Sequence, residues 1–338
     1  MQTIAFLQDP AQIAPQRTQR IDFDDGSFAL RSPVALQPYA RCVGEWLERW
    51  ATETPRATAL AERTPDGSAW RTLDYGALRQ AVGAVAQSLL NMRLPPGQPI
   101  VILSDNAIDH AVLMLAAMHI GRTACSLSSA YSRTAKDFGR LRSMLELLGP
   151  ALVYASDATT YGPAMAACDL RVPCVFSDGA QGWPGGIAFA QLLATAETPA
   201  VQQAFAAITP DDHAKYLLTS GSTGQPKAVI NTHRMLCANQ QQMAQTWRFL
   251  EHEKPVLVDW LPWSHTFGGN HNLHMVLAHG GALVSTSANL AGEPPVAARE
   301  ALDPIMLEQL DGVLTGQTGG LARPTPIRDA RSGNILRD

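Results

Sequence analysis

Residues 216–229 read YLLTSGSTGQPKAV. One short apolar run enters this stretch at Tyr216 to Leu218, and a second leaves it at Ala228 to Ile230. Between them Thr219, Ser220, Gly221, Ser222, Thr223 and Gly224 offer almost no side chain, and a single cation, Lys227, closes the run. So bare a loop lets backbone N–H groups come close to a ligand and form a concave nest for an anion. The hydroxyls of Ser220, Ser222 and Thr223 add donors, and the lysine ammonium is a point charge suited to phosphate. The pattern points to a polyphosphate. It is not a Walker A loop, which needs Gly immediately before the Lys and Ser or Thr after it; here Pro226 precedes Lys227 and Ala228 follows. A solvent-exposed Gly/Ser turn is the plain alternative on composition alone.

On either side of the loop, short apolar runs alternate with helical patterns. Val43, Trp46, Leu47 and Trp50 fall at helical spacing, and Asp74 predicts the cap of a second helix with Leu78, Val82, Val85 and Leu89 on its inner face. Pro99 opens a strand, PIVILS, followed by a buried helix over about 107–119, a strand TACSLS and a helix over about 134–148 ended by Gly149-Pro150. Strands ALVYAS, VPCVFS, KYLLTS, AVINTH and VLVDWL continue the alternation, with a helix over about 234–249. The first forty residues are proline-rich and irregular apart from a hairpin expected at Asp24-Asp25-Gly26. Strands alternating with helices predict an α/β fold of mainly parallel sheets flanked by helices.

Of 338 residues, 46% are hydrophobic and 17% charged, which describes a globular chain and not a disordered one. The net charge of -4 is spread along the chain, so nothing calls for nucleic acid. Five cysteines, odd in number and without a C-x-x-C pair, suit free thiols in a reducing compartment. The N-terminus has no signal-peptide pattern, and AVLMLAAMHIG, the longest apolar stretch, is about half the length that spans a bilayer. These features predict a soluble, cytoplasmic protein with no membrane partner; they leave the oligomeric state open. His265, His271, His274 and His279 raise the question of a metal, but H-x-x-H-x-x-x-x-H lacks the i, i+4 pair and the accompanying Cys or carboxylate of a zinc site. They read better as histidines around a helix start and along its faces, and no metal ligand is assigned.

YLLTSGSTGQPKAV resembles the phosphate loop of the adenylate-forming acyl-CoA synthetases. A second block, DWLPWSHTFGGNHNLHMVLAHGG from Asp259 to Gly281, resembles the next motif of that family, an L-P-x-x-H segment beside the acyl site. The wording WSHTFGGNHN, with PYARCVGEWLERWA upstream, is most similar to feruloyl-CoA synthetase-like members. The resemblance covers about residues 1–284 and implies the N-terminal region of an adenylate-forming ligase. It implies ATP and Mg²⁺ as cofactors, CoA as co-substrate and a small aromatic, hydroxycinnamate-like carboxylic acid as substrate. Thr219 to Gly224 and Lys227 would hold the β- and γ-phosphates. His265 would orient the acid, while Phe267, Gly268 and Gly269 would let it approach the backbone.

After about Val284 the resemblance stops. The magnesium glutamate, the ribose aspartate, the hinge and the C-terminal lysine of the family have no counterpart at recognisable positions, so no catalytic residue is assigned and impaired turnover is expected. From about residue 285 the chain instead resembles the C-terminal end of the catalytic domain of threonylcarbamoyl-AMP synthase. Ser287 and Asn289 match that family's S-x-N nucleotide-contact motif, and TPIRDARSGNILR its closing hairpin. The expectation is a ligase-like region over 1–284 joined near 282–285 to a short, unrelated α/β segment over 285–338. A non-catalytic nucleotide-binding remnant or fusion product, and a threonylcarbamoyl-AMP synthase relative, are the alternative functions.

Overall fold

The structure is a computed structural model that describes residues 9–64, 68–133, 135, 137–219 and 226–285, together with the backbone of two short strands at 327–328 and 335–337. Its centre is a seven-stranded sheet. In chain order this sheet is built from β5 (Ile100–Leu103), β6 (Ala124–Leu127), β7 (Leu152–Asp157), β8 (Cys174–Asp178), β9 (Ile187–Ala188), β10 (His213–Thr219) and β11 (Lys227–Thr232). Its spatial order is β11-β10-β6-β5-β7-β8-β9. Every neighbouring pair is parallel except β10 with β11, which a short loop joins and so must run antiparallel. β5 and β6 are buried along their whole length, which is why they read as continuous apolar runs instead of alternating ones.

A second sheet of four strands lies in the order β12-β13-β3-β4. It contains β3 (Thr58–Arg63), β4 (Trp70–Asp74), β12 (Val256–Asp259) and β13 (Ala282–Ser285), with β12, β13 and β3 parallel and β4 antiparallel to β3. The expected N-terminal hairpin pairs β1 (Gln19–Asp22) with β2 (Phe28–Arg31), turning through Gly26 at φ +82°. The strands at 327–328 (β14) and 335–337 (β15) form a separate antiparallel pair.

Helices α1 (Gly44–Glu53), α2 (Tyr75–Asn91) and α3 (Ile108–His119) pack into the core that includes residues of both sheets. α3 is buried on every side except at Asp109, as expected of a helix that is apolar all round. Asp74 caps α2 by accepting from Ala77 N at 2.7 Å, as its spacing predicts. α4 (Ala130–Arg133), α5 (Gly139–Leu148) and α6 (Ala158–Ala167) follow, and α5 and α6 contribute to a second core on the opposite face of the large sheet. The single helix expected over 134–148 is therefore shorter, starting at Gly139, but it ends where expected, at Gly149 with φ +52°. The remaining helices are α7 (Phe189–Leu193), α8 (Pro199–Ala207), α9 (His233–Thr246) and α10 (His274–His279). α9 stops three residues before the expected end because the chain tightens into a 3₁₀ turn at Arg248–Glu251.

The smaller sheet is tied to α3 by charge. Arg71 on β4 donates to Glu62 of β3 at 3.0 Å and to Asp109 of α3 at 2.6 Å, while Glu62 also accepts from Ile108 N at 2.6 Å. Both carboxylates therefore sit at the N-terminal turn of α3, where the helix dipole favours anions. No described helix is long and apolar enough to cross a membrane.

Candidate functional site

Parallel strands present their carboxyl ends along one edge, and ligands of open α/β sheets bind there. β10 is parallel to β6, so its end at Thr219 joins that edge, and β11 starts back from it at Lys227. Thr219 and Lys227 are the last partners of the ladder and both are exposed. They form the mouth of the hairpin whose tip is the glycine-rich loop. Ser220, Gly221, Ser222, Thr223 and Gly224 lie outside the described residues, as do Ser287 and Asn289.

Next to this mouth, the carboxyl ends of β5, β6 and β13 enclose a cleft of about 260 Å³ lined by Ser104, Asp105, Asn106, Ser129, Trp263 and Ser285, among others. Two larger cavities, about 730 and 770 Å³, flank α9 elsewhere; Thr219, Lys227 and His265 line none of the three. The cleft wall is the loop 260–265, and it is clamped from both sides. Asn106 Nδ2 donates to Leu261 O at 2.8 Å and its Oδ1 accepts from Trp263 N at 2.9 Å. Asp259 Oδ1 accepts from Leu261 N at 3.0 Å, and Oδ2 from Asn272 Nδ2 at 3.0 Å.

The loop leads into a π-helix, Thr266–Leu273, before α10. Such widened turns hold one extra residue and recur at functional sites. His265 precedes it, exposed, with Nδ1 accepting from Phe267 N at 3.4 Å; in the neutral ring this leaves Nε2–H as a donor. Phe267 is half exposed and stacks on His271 at 4.5 Å, and His271 meets Trp247 edge-on at 5.5 Å. The π-helix is tied to its neighbours by amides: Asn270 Nδ2 donates to Asn231 Oδ1 of β11 at 2.8 Å, and Gln240 Nε2 of α9 donates to Asn270 O at 2.8 Å. The hairpin of β10 and β11 and the aromatic wall are thus parts of one bonded unit.

Gly268 and Gly269 are both buried, and their missing side chains serve packing: a Cβ at Gly268 would lie 2.4 Å from Leu261 O, and one at Gly269 would lie 2.5 Å from Trp263 O. They seat the π-helix on the clamped loop. Asn231, Asn270 and Trp247 join the wall although nothing in their spacing singles them out, and His271, noticed in the histidine cluster, joins it as a stacking ring. Trp263 is core, and among the described residues its Nε1 has no partner.

His110, His233 and His274 are buried and His279 is partly buried, and burial pushes their basicity down: His110, His233 and His279 to about 4, and His274 further. His110 is fixed as the tautomer that donates from Nδ1 to Asp105 O at 3.1 Å and accepts at Nε2 from Ser126 Oγ at 2.7 Å. His274 is wholly enclosed and opens α10, as the helix-start reading expects. Among the described residues no group of three or more His, Cys, Asp or Glu is placed to hold a metal ion.

The comparisons with known proteins agree with this geometry. The family model for AMP-binding enzymes matches residues 47–300. Among solved structures, the fatty acyl-adenylate ligase from L. pneumophila in complex with acyl adenylate and pyrophosphate aligns with a TM-score of 0.58 at 17% identity, over 73% of this chain and 39% of that one. VinN in complex with 3-methylaspartate aligns at 0.55 and 20%, over 73% of this chain and 62% of that one. An adenylation domain of a keto acid-selecting NRPS module aligns at 0.57 and 18%, over 73% and 41%. Curated relatives match a different stretch length: 60 residues, 18% of this chain, are 73% identical to the threonylcarbamoyl-AMP synthase of Stenotrophomonas maltophilia and cover 32% of it. That of Xanthomonas campestris pv. campestris matches at 70% over 61 residues, 33% of its length. The chain thus spans about a third of the curated relatives it matches. Its mixed, mostly parallel sheets flanked by helices are the fold of the N-terminal domain of adenylate-forming ligases. The chain belongs to the AMP-binding enzyme family.

Proposed function

We propose that residues 1–284 are the front part of an adenylate-forming ligase and that the segment from about 285 onward is the part similar to threonylcarbamoyl-AMP synthase. In this reading the loop from Thr219 to Gly224, with Lys227, holds the β- and γ-phosphates of ATP. A bound carboxylate attacks the α-phosphate, forming a P–O bond to the acyl oxygen as pyrophosphate leaves. Little covalent help from protein is needed; the work is neutralising charge and aligning the reactants. One observation carries the reading. Thr219 and Lys227 stand paired and exposed at the hairpin mouth, bonded through Asn231 and Asn270 to the wall that bears Phe267.

The stack of Phe267 on His271 offers a flat apolar face, which supports an aromatic, hydroxycinnamate-like acid, and His265 Nε2–H is a donor for its orientation. Mg²⁺ fits this site as a companion of the triphosphate and not as the occupant of a protein cage, consistent with how Mg²⁺ usually binds. Coenzyme A is the acceptor the resemblance implies for the complete reaction, and the cytoplasm is the proposed location.

The 60-residue likeness favours a second reading, a threonylcarbamoyl-AMP synthase relative, and a nucleotide-binding remnant is the third. Exchange of labelled pyrophosphate into ATP separates them. Exchange stimulated by hydroxycinnamate and lost in Lys227→Ala supports the ligase. Exchange that needs threonine and bicarbonate supports the second reading, and ATP binding without exchange supports the remnant.

A further inference from the structure

Among the described residues Lys215 is the only lysine or arginine that is fully buried. It sits inside β10, paired with Ala124 of β6 and Asn231 of β11, and the β10–β11 ladder shifts register between His213 and Lys215. Such irregularities re-aim a side chain next to functional sites. Its ammonium lies directly beneath the π-helix: a Cβ on Gly269 would be 2.9 Å from Nζ. Nζ has no hydrogen-bond partner among the described residues.

Among the described residues no hydrogen bond or ion pair neutralises this charge. The groups whose ionisation is coupled to it are Cys125, His110 and His274, all buried and all uncharged near neutral pH. Asp259, the one buried carboxylate among the described residues, is committed to Leu261 N and Asn272 Nδ2. Burial pushes the lysine down to about 8, so it still carries a proton at pH 7. An unpaired buried cation destabilises the folded state unless something compensates it. The carboxylate proposed above would bind against the π-helix that covers it. Lys215, Leu217 and Thr219 share one face of β10 by the two-residue period, so the same face runs from the buried ammonium to the hairpin mouth.

We infer that Lys215 is a positioning residue of the acid site: its ammonium, buried beneath the π-helix, is the counter-charge that selects a carboxylate over a neutral molecule of the same shape. The inference rests on the placement of the acid against Phe267 and His271 proposed above. For unit charges held about 8–10 Å apart at an effective dielectric of about 20, Coulomb attraction corresponds to a factor of roughly 15 to 30 in affinity.

The test measures binding of cinnamate and of cinnamamide, at pH 7 and low salt, to the full chain and to Lys215→Met. These probes share a ring and differ in charge. The full chain is expected to bind cinnamate at least tenfold more tightly than the amide, and Lys215→Met to lose that preference while its melting temperature stays the same or rises. A lysine with only a structural role would not move the ratio. Equal affinity for the two probes in the full chain, including binding of neither, overturns the inference, and so does a preference that survives in Lys215→Met. If Lys215→Met does not fold, the same ratio at 0.05 and 0.5 M salt decides. A buried counter-charge keeps the preference at high salt, whereas surface charges lose it and so overturn the inference. Triphosphate binding at Lys227 is read separately in the exchange assay, so the two claims fail independently.

Discussion

Replacing Gly268 by alanine is expected to unfold the candidate site and to lower the melting temperature by about 6–12 °C, the equivalent of about 3 kcal/mol in a body of this size. The added Cβ would lie 2.4 Å from Leu261 O and 2.6 Å from Pro262 O. Neither oxygen is the free end of a flexible side chain. Leu261 is held by Asp259 and Asn106, so the loop has no room to yield without breaking the clamp. Thermal unfolding followed by tryptophan fluorescence checks this directly, since Trp247 and Trp263 report on the two sides of the π-helix. An alanine variant that melts within a degree or two of the parent would show that the π-helix is not seated on this loop.

Acidification is expected to act as strongly. A histidine whose basicity is lowered in the folded state contributes stability that is complete above its unfolded value, 6.5, and is lost as pH falls toward its folded value. His110, His233 and His279 are pushed down to about 4 and His274 further, so the window is pH 6.5 to 4. At pH 5 each removes about 1–2 kcal/mol, and the four together are comparable with the whole stability of a typical domain. The acid midpoint is therefore expected near pH 5, above the range in which ordinary carboxylates protonate. A midpoint at or below pH 4 would mean that these rings are charged in the folded protein or exposed to water.

How much of this was legible beforehand depended on how local the cause was. β5 to β8 and α3 were readable because burial on both faces leaves uninterrupted apolar runs such as IVIL and AVLMLAAM. The caps at Asp74 and Gly149 were readable because a cap is decided by a few neighbouring atoms. The β3–β4 pair was not read, since its strands carry Glu62, Arg63 and Arg71, whose charges are matched only across the fold, by Asp109, by the Trp70 ring and by one another.

The site divides in the same way. A glycine-rich loop is legible locally, and its flanks Thr219 and Lys227 do pair as the last rungs of a hairpin. The aromatic wall depends on the π-helix, and that depends on Asn106, which reaches the loop from more than 150 residues away. No periodicity in TFGGNHNL encodes such a clamp. Gly268 and Gly269 were noticed for a ligand, but their packing role was not read, because a glycine required by tight packing looks the same in sequence as one required by a ligand. Lys215 was passed over for a similar reason: within KYLLTS it reads as the polar end of a strand, and only the ladder shift turns it inward.

The central claim is that the hairpin mouth holds a triphosphate, and calorimetric titration of the full chain with Mg·ATP tests it most directly, alongside Lys227→Ala. Loss of one charge-assisted contact to phosphate is worth about 1.5–3 kcal/mol, so the variant is expected to bind about 10- to 100-fold more weakly, with the melting temperature unchanged because Lys227 is exposed. Equal affinity in the two proteins, or no binding by either, would contradict the claim.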